Sequence, residues 1–512
     1  MDERLDLEVA VVGGGFGGLG MGVALKKAGI DSFVILEQGG DVGGVWRENT
    51  YPGCSCDIPS HLYSFSFAPY RSARTRYPGQ EQILSYLRGV ARDYGLREHL
   101  RVHTAVAEAT YRENIARWEL TTDAGQRILA DILVFAVGQL HRPHIPDIPG
   151  RDGFAGAAFH SASWDHGQDL RGRDVAVIGT GSSAGQLLPE IAAVARKVTV
   201  YQRTPHWVLP KPSAEFGRIS RWVLRTPGAH RLYRQALYYG ADITLAPIMH
   251  RGWSARPAQW MARTHLRRRI SDPRLRAALT PDYPIGSKRI VFDSRYYAAL
   301  GRENVELVTD PIARISDNGI ETGDGTHRHA DVIVWATGFR APEFLAPMSV
   351  RGRGGRLLHE EWSAGAEAFL GLAVPGYPSA FLIAGPNSFN PAGSNPGMKE
   401  RQIAYIMECL RWRAEVEAAA IEVSGDAMRQ YRQWLERAIA KTVWPSTGAS
   451  WYKHHSGRVT NPWPASARTF ARMLRRSPAE AFVAVPAKVP AATPLPIHYH
   501  KSTRATTTPT AF

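Results

Sequence analysis

The chain is 512 residues long, 44% hydrophobic and 21% charged, enough for two or three domains with sizeable cores. It holds no uncharged apolar run of about 18 residues or more, so no transmembrane helix is expected, and its opening MDERLDLEVA has the pattern of neither a signal nor a transit peptide. Three cysteines (Cys54, Cys56, Cys409) form no disulfide framework, offer neither a zinc-ligand spacing nor a redox pair, and point to a reducing, cytoplasmic setting.

The first element is the apolar strand LEVAVV, followed by GGGFGG at 13–18 and, at the end of FVILE, by Glu37. Strand, glycine turn, helix and strand in that order make a dinucleotide-binding unit. Gly13, Gly15 and Gly18 let the backbone approach a pyrophosphate seated on the helix N-terminus. A carboxylate at Glu37 accepts hydrogen bonds from free ribose hydroxyls, as in FAD or NAD. The unit repeats at DVAVI-GTGSSAG, with Gly179, Gly181 and Ala184 in the three glycine places. Its second strand, VTVYQR, ends in Arg203. A guanidinium there forks onto a 2′-phosphate and selects NADP. Two such units with opposite charges imply an α/β fold of two Rossmann-like domains, one for FAD and one for NADP.

Between them the organisation reads as follows. Residues 1–150 begin the FAD domain, and the glycine-rich loop after Glu37 is too long for a mere connector. Residues 151–166 form a hinge. Residues 167–212 begin the NADP domain, a helical insertion fills 213–283, and the domain resumes over 284–342. The apolar strands LADILVFAVG (129–138) and HADVIVWATGF (329–339) suit the far edge of each nucleotide domain. Residues 343–475 return to the FAD domain, with a strand at FLIAG and helical spacing over 399–419. The tail, 476–512, is rich in Pro, Ala and Thr and reads as disordered.

Charge is uneven. Of the net +15, most lies in residues 211–280, where 14 Lys and Arg stand against Glu215, Asp242 and Asp272. A solvated helical insertion accounts for this. So does a basic surface that attracts NADPH or makes peripheral contact with an anionic membrane. No recognition motif accompanies the charge, which argues against nucleic acid.

The hinge reads Phe154-x-Gly156-x-x-x-His160-x-x-x-Trp164-Asp165. This resembles the fingerprint of the type I Baeyer–Villiger monooxygenases, within the flavin-containing monooxygenase superfamily. Related enzymes that oxidise nitrogen or sulfur usually lack the tryptophan. The resemblance extends over roughly residues 5–475 through GGVW at 43–46, YPG at 51–53, Cys56-Asp57, GSKR at 286–289, ATGF at 336–339 and SWY at 450–452. GPNSFNPAGSNPGMKE at 385–400 departs from the family after its opening GPNS, in a stretch that borders the substrate.

The resemblance implies an enzyme that uses NADPH and O2, through a C4a-peroxyflavin, to insert oxygen beside a ketone carbonyl. It gives Arg289 as the cation at the reacting centre and Asp57 as the carboxylate that positions it. It assigns Phe16, Gly17, Gly44, Val45, Trp46, Asp57, Tyr63 and Val106 to FAD. It assigns Thr180, Gly181, Ser182, Ser183, Ala184, Gln186, Arg203, Thr204, Lys288, Arg289 and Trp451 to NADP. His160 and Trp164 would couple domain movement to cofactor binding. An apolar substrate site of moderate size is expected from HLYSFSF (61–67) and 385–400, with the ketone itself and the oligomeric state unspecified. Two other chemistries compete: N- or S-hydroxylation by a related flavoenzyme, and serine hydrolysis through Gly181-x-Ser183-x-Gly185. No metal site is expected.

Overall fold

The computed structural model describes residues 5–212 and 215–486. β1 (Leu5–Val12), α1 (Phe16–Lys27) and β2 (Phe33–Leu36) open the chain, and β3 (Leu100–Arg101) extends the same sheet. A meander of β4 (Val106–Arg112), β5 (Arg117–Thr122) and β6 (Arg127–Phe135) returns to pair in parallel with β1. Residues of β1 alternate between two cores. Val9 and Val11 join the one that holds α1, and Ala10 and Val12 join the other, as the two-residue period of a strand buried on both faces requires.

The second sheet is built from β7 (Ala157–His160), β8 (Asp174–Ile178), β9 (Lys197–Tyr201), β10 (Val305–Val308) and β11 (Val332–Trp335). Its spatial order is β10-β9-β8-β11-β7, parallel throughout. Between β8 and β9 runs α2 (Ser182–Ile191). The chain then rejoins the first sheet with β12 (Ser349–Arg351) on β4 and β13 (Ala380–Leu382) on β6. The helical insertion carries α3 (Arg218–Arg225), α4 (Pro227–Thr244) and α5 (Ala255–Arg269). A short parallel ribbon, Val208–Leu209 with Val291–Phe292, brackets α3–α5. A long helix, α6 (Asn395–Glu415), packs on α1. Gly20 permits this, since a Cβ there would lie 2.7 Å from Ile403 Cδ1.

Three expectations need correction. The twin apolar strands are not at sheet edges: β6 lies between β5 and β1, and β11 between β8 and β7. A run that is apolar at consecutive positions needs cover on both faces, which an interior place supplies. The hinge is partly regular structure, since β7 is the edge strand of the second sheet. The tail remains ordered past 476. β15 (Phe482–Val485) pairs antiparallel with β14 (Ala420–Val423), and Phe482 is buried in the core. The rest of the expected tail, 487–512, lies outside the described residues.

Candidate active site

The first glycine turn is closed by backbone proximity. Gly13 has φ +109°, and a Cβ there would meet Ala136 O at 2.6 Å. A Cβ on Gly18 would meet Gly13 O at 1.8 Å, so α1 settles directly on the turn. Gly15 provides no side-chain cap for α1, which leaves the helix's first N–H groups facing outward. Glu37, at the end of β2, is buried. It accepts from Gly14 N at 2.7 Å and Gly39 N at 2.8 Å, and pairs with Arg47 at 2.9 Å. The loop after β2 folds over the turn: Gly43 N donates to Gly14 O at 3.0 Å, and Gly44 lies against Gly15. Val45 and Trp46 start a single helical turn. Trp46 Nε1 donates to Tyr63 Oη at 3.2 Å, and Tyr63 meets Phe16 edge-on at 5.2 Å. Gly17 packs against Ala136 and Ile383. Val106, buried at the head of β4, follows closely on Thr104, whose N–H donates to Glu37 O.

The second turn repeats this geometry. Gly179 has φ +115°, with a Cβ position 2.3 Å from Ala336 O. Gly181 gives α2 no side-chain cap, and Ser182, Ser183 and Ala184 form its first turn. Thr180 Oγ1 donates to Thr204 O at 3.1 Å. Lys288 lies over the Tyr283 ring at 5.0 Å. Burial and then the like charge of Arg203 lower its pKa. Two cations held near each other in this way form a place for a polyanion.

Between the two turns, the Asp57 side chain is 9% exposed and has two cations about it. Arg289 Nη2 is 3.8 Å from one carboxylate oxygen and Lys211 Nζ is 3.9 Å from the other. Burial raises the Asp57 pKa, and Arg289 and Lys211 act against that rise. Gln186, on α2, donates to Asp57 at 3.3 Å and to Ser55 O at 2.9 Å, and accepts from Tyr51 Oη at 3.0 Å. Arg289 Nη1 is buried without a hydrogen-bond partner among the described residues. Its guanidinium lies 5.3 Å from the Phe389 ring, which meets Trp451 edge-on at 5.0 Å. An unpartnered buried guanidinium N–H is costly unless a ligand oxygen completes it.

Comparisons with known proteins agree with this geometry. A pyridine nucleotide-disulphide oxidoreductase family model matches residues 10–225. The chain is 40% identical to a Baeyer–Villiger monooxygenase of Streptomyces coelicolor, over 92% of this chain and 91% of that one. It is 37% identical to one from Pseudomonas aeruginosa, over 93% and 91%. The chain belongs to the Baeyer–Villiger monooxygenase family. Among solved structures, an oxidised steroid monooxygenase bound to NADP superposes with a TM-score of 0.85 at 30% identity, covering 94% of this chain and 99% of the other. Closed cyclohexanone monooxygenase gives 0.84 at 27%, covering 94% and 100%.

In this family member the fingerprint residues serve the second sheet. His160 Nε2 donates to Gly338 O at 2.9 Å and its Nδ1 accepts from Ala162 N at 3.0 Å. The ring is neutral, and burial lowers its pKa to about 4. It thereby holds the ATGF turn at the end of β11. Gly156 allows Asp331 O within 2.3 Å of its Cβ position. Phe154 packs on the core beside β11. Trp164 meets Phe159 edge-on at 5.1 Å, and Asp165 caps a turn through Gly167 N.

The residues present fit the two dinucleotides: two uncapped helix N-termini for pyrophosphates, Glu37 for a ribose, and Arg203 with Lys288 for a 2′-phosphate. The sequence-based assignment missed Lys211 and Arg47. Lys211 had been counted with the exposed basic segment, but it is 7% exposed and donates to Ser55 Oγ at 3.0 Å. Its pairing with Asp57 depends on the ribbon before the insertion, which has no local signal. Gln186, expected at NADP, also bonds residues 51–57 through its amide. The aromatic loop also differs from expectation. Phe65 is fully buried against Phe16 and Phe67 and belongs to the core. Cys54 and Cys56 are packed thiols, pushed by burial to about 11 and about 12. The G-x-S-x-G match lies in the second glycine turn, with Ser183 in the first turn of α2.

Proposed function

We propose that this protein is an FAD-dependent monooxygenase that uses NADPH and O2 to convert a ketone to an ester or lactone. One oxygen atom enters between the carbonyl carbon and its neighbour. The other leaves as water, and NADPH supplies the two electrons. The observation that carries this reading is the Asp57–Arg289 pair with its unfilled guanidinium N–H, set between two dinucleotide turns of opposite ribose preference. When bound, FAD supplies the redox chemistry, taking electrons from NADPH and passing them to dioxygen.

The protein's part is positioning and charge. Glu37 orients the FAD ribose, and Arg203, Thr204 and Lys288 select NADPH over NADH. Arg289 carries its charge on a planar, delocalised guanidinium. It presents a fixed cation to the negative oxygen that develops on the ketone, a task that needs no proton transfer and little reorganisation. Asp57 orients Arg289, and Gln186 and Lys211 orient Asp57. Trp46, Tyr63 and Trp451 exclude water from the flavin and nicotinamide sides. We take the substrate to be an apolar ketone of moderate size and the enzyme to be cytoplasmic, in keeping with its three unpaired cysteines.

The test is anaerobic reduction of the FAD-loaded enzyme by NADPH, then admission of air with a panel of cyclic, aromatic and aliphatic ketones. Flavin bleaching followed by an ester from at least one ketone is expected. Amine or sulfide oxygenation without ester from any ketone would move the chain to the N- and S-oxidising branch. Bleaching followed only by hydrogen peroxide would count against oxygenation of any of these substrates.

A further inference from the structure

Among the described residues, the helical insertion holds most of the large apolar side chains left in water. On α3, Ile219 is 80% exposed, Trp222 70% and Val223 39%. Their spacing of i, i+3 and i+4 places them on one face of the helix. Leu224, on the opposite side, is buried, and half-buried Arg221 lies toward it. Arg218 and Arg225 flank the apolar stripe, and α3 contains no acidic residue. None of these three arginines has an ion-pair partner among the described residues. Further along, α5 shows Trp260, 69% exposed, with Arg256, Arg263 and Arg267 at i−4, i+3 and i+7 on the same exposed face.

We propose that α3 is a docking element for an anionic lipid surface. An exposed apolar stripe costs free energy in water and is uncommon unless something covers it. Tryptophan combines a large apolar ring with one N–H donor and favours the boundary between lipid chains and headgroups. Arginines beside it can lay their stems along the boundary and place their guanidinium groups on lipid phosphates. A second copy of the chain is a poor occupant. A two-fold contact through this face would set the flanking Arg218 and Arg225 against those of the other copy with no carboxylate from α3 between them. The proposal concerns a surface distinct from the Asp57–Arg289 centre and does not depend on the reaction assigned there.

The experiment is sedimentation of the full-length FAD-loaded enzyme with vesicles of phosphatidylcholine, with and without phosphatidylglycerol. The wild type should bind the phosphatidylglycerol vesicles and be released by salt. The double substitution Ile219→Ser, Trp222→Ser keeps every charge, so any change reports the apolar stripe and not the net +15. It should weaken vesicle binding by about tenfold or more, while NADPH oxidation in vesicle-free buffer is unchanged. Absence of binding to either lipid would overturn the proposal. So would equal binding by the variant. A wild-type dimer that the variant converts to monomer on gel filtration would show that a second copy covers the face instead.

Discussion

At the residue scale the centre depends on how one buried carboxylate is shared. Arg289→Ala should lower ester formation by about 10²-fold or more, while NADPH consumption continues and yields hydrogen peroxide. Product analysis beside an NADPH-oxidation assay checks this. Lys211→Met removes one of the two cations that favour the ionised form of Asp57. The folded-state pKa of Asp57 is raised, so its proton-linked stabilisation is present below about 3.8 and is lost as pH rises through the folded value. Removing Lys211 raises that value further. The acid limb of the activity profile should therefore move to higher pH, and the variant should lose more stability at pH 8 than at pH 5. A pH–rate profile with urea unfolding at both pH values reads both effects. The glycine turns and their charged partners were legible in the sequence because backbone approach dictates residue type directly. Lys211 was not, since only tertiary closure takes a lysine out of a basic stretch and sets it beside a carboxylate far away in the chain.

At the element scale, strands were legible where one short segment carries its own pattern, and less so where the partner is distant. β6 and β11 were visible as apolar runs, but their interior places follow from the order in which later strands return. β15 was hidden in a Pro- and Ala-rich context because β14, which it pairs with, lies well before it. A stop after Arg476 should remove Phe482 from the core along with the β14 ladder. The expected cost is about 3 kcal/mol or more, visible as a lower melting temperature of the FAD-loaded enzyme. β7 offers a second test. His160→Phe deletes the bonds to Gly338 O and Ala162 N, at a cost of about 1–3 kcal/mol. It should also raise KM for NADPH, because the turn after β11 adjoins the second glycine turn.

At the scale of the whole molecule, several buried histidines act together on stability. Burial holds His61, His160, His206 and His230 each near about 4. A group whose folded pKa is depressed gives stability that is present above its unfolded pKa and is lost as pH falls through the folded one. The four should cost roughly 1 kcal/mol each per pH unit between about 6.5 and 4. A series of calorimetric scans from pH 7 to pH 4.5 should show this steep acid limb. Replacing His160 by Phe should make it shallower.

Gln186 has a further consequence. It rises from α2, whose first turn follows the second glycine turn, and its amide holds the loop that carries Asp57. About one turn of α2 thus separates the second glycine turn from the carboxylate beside Arg289. A displacement of the second glycine turn is therefore carried to the carboxylate beside Arg289 within about one turn of helix.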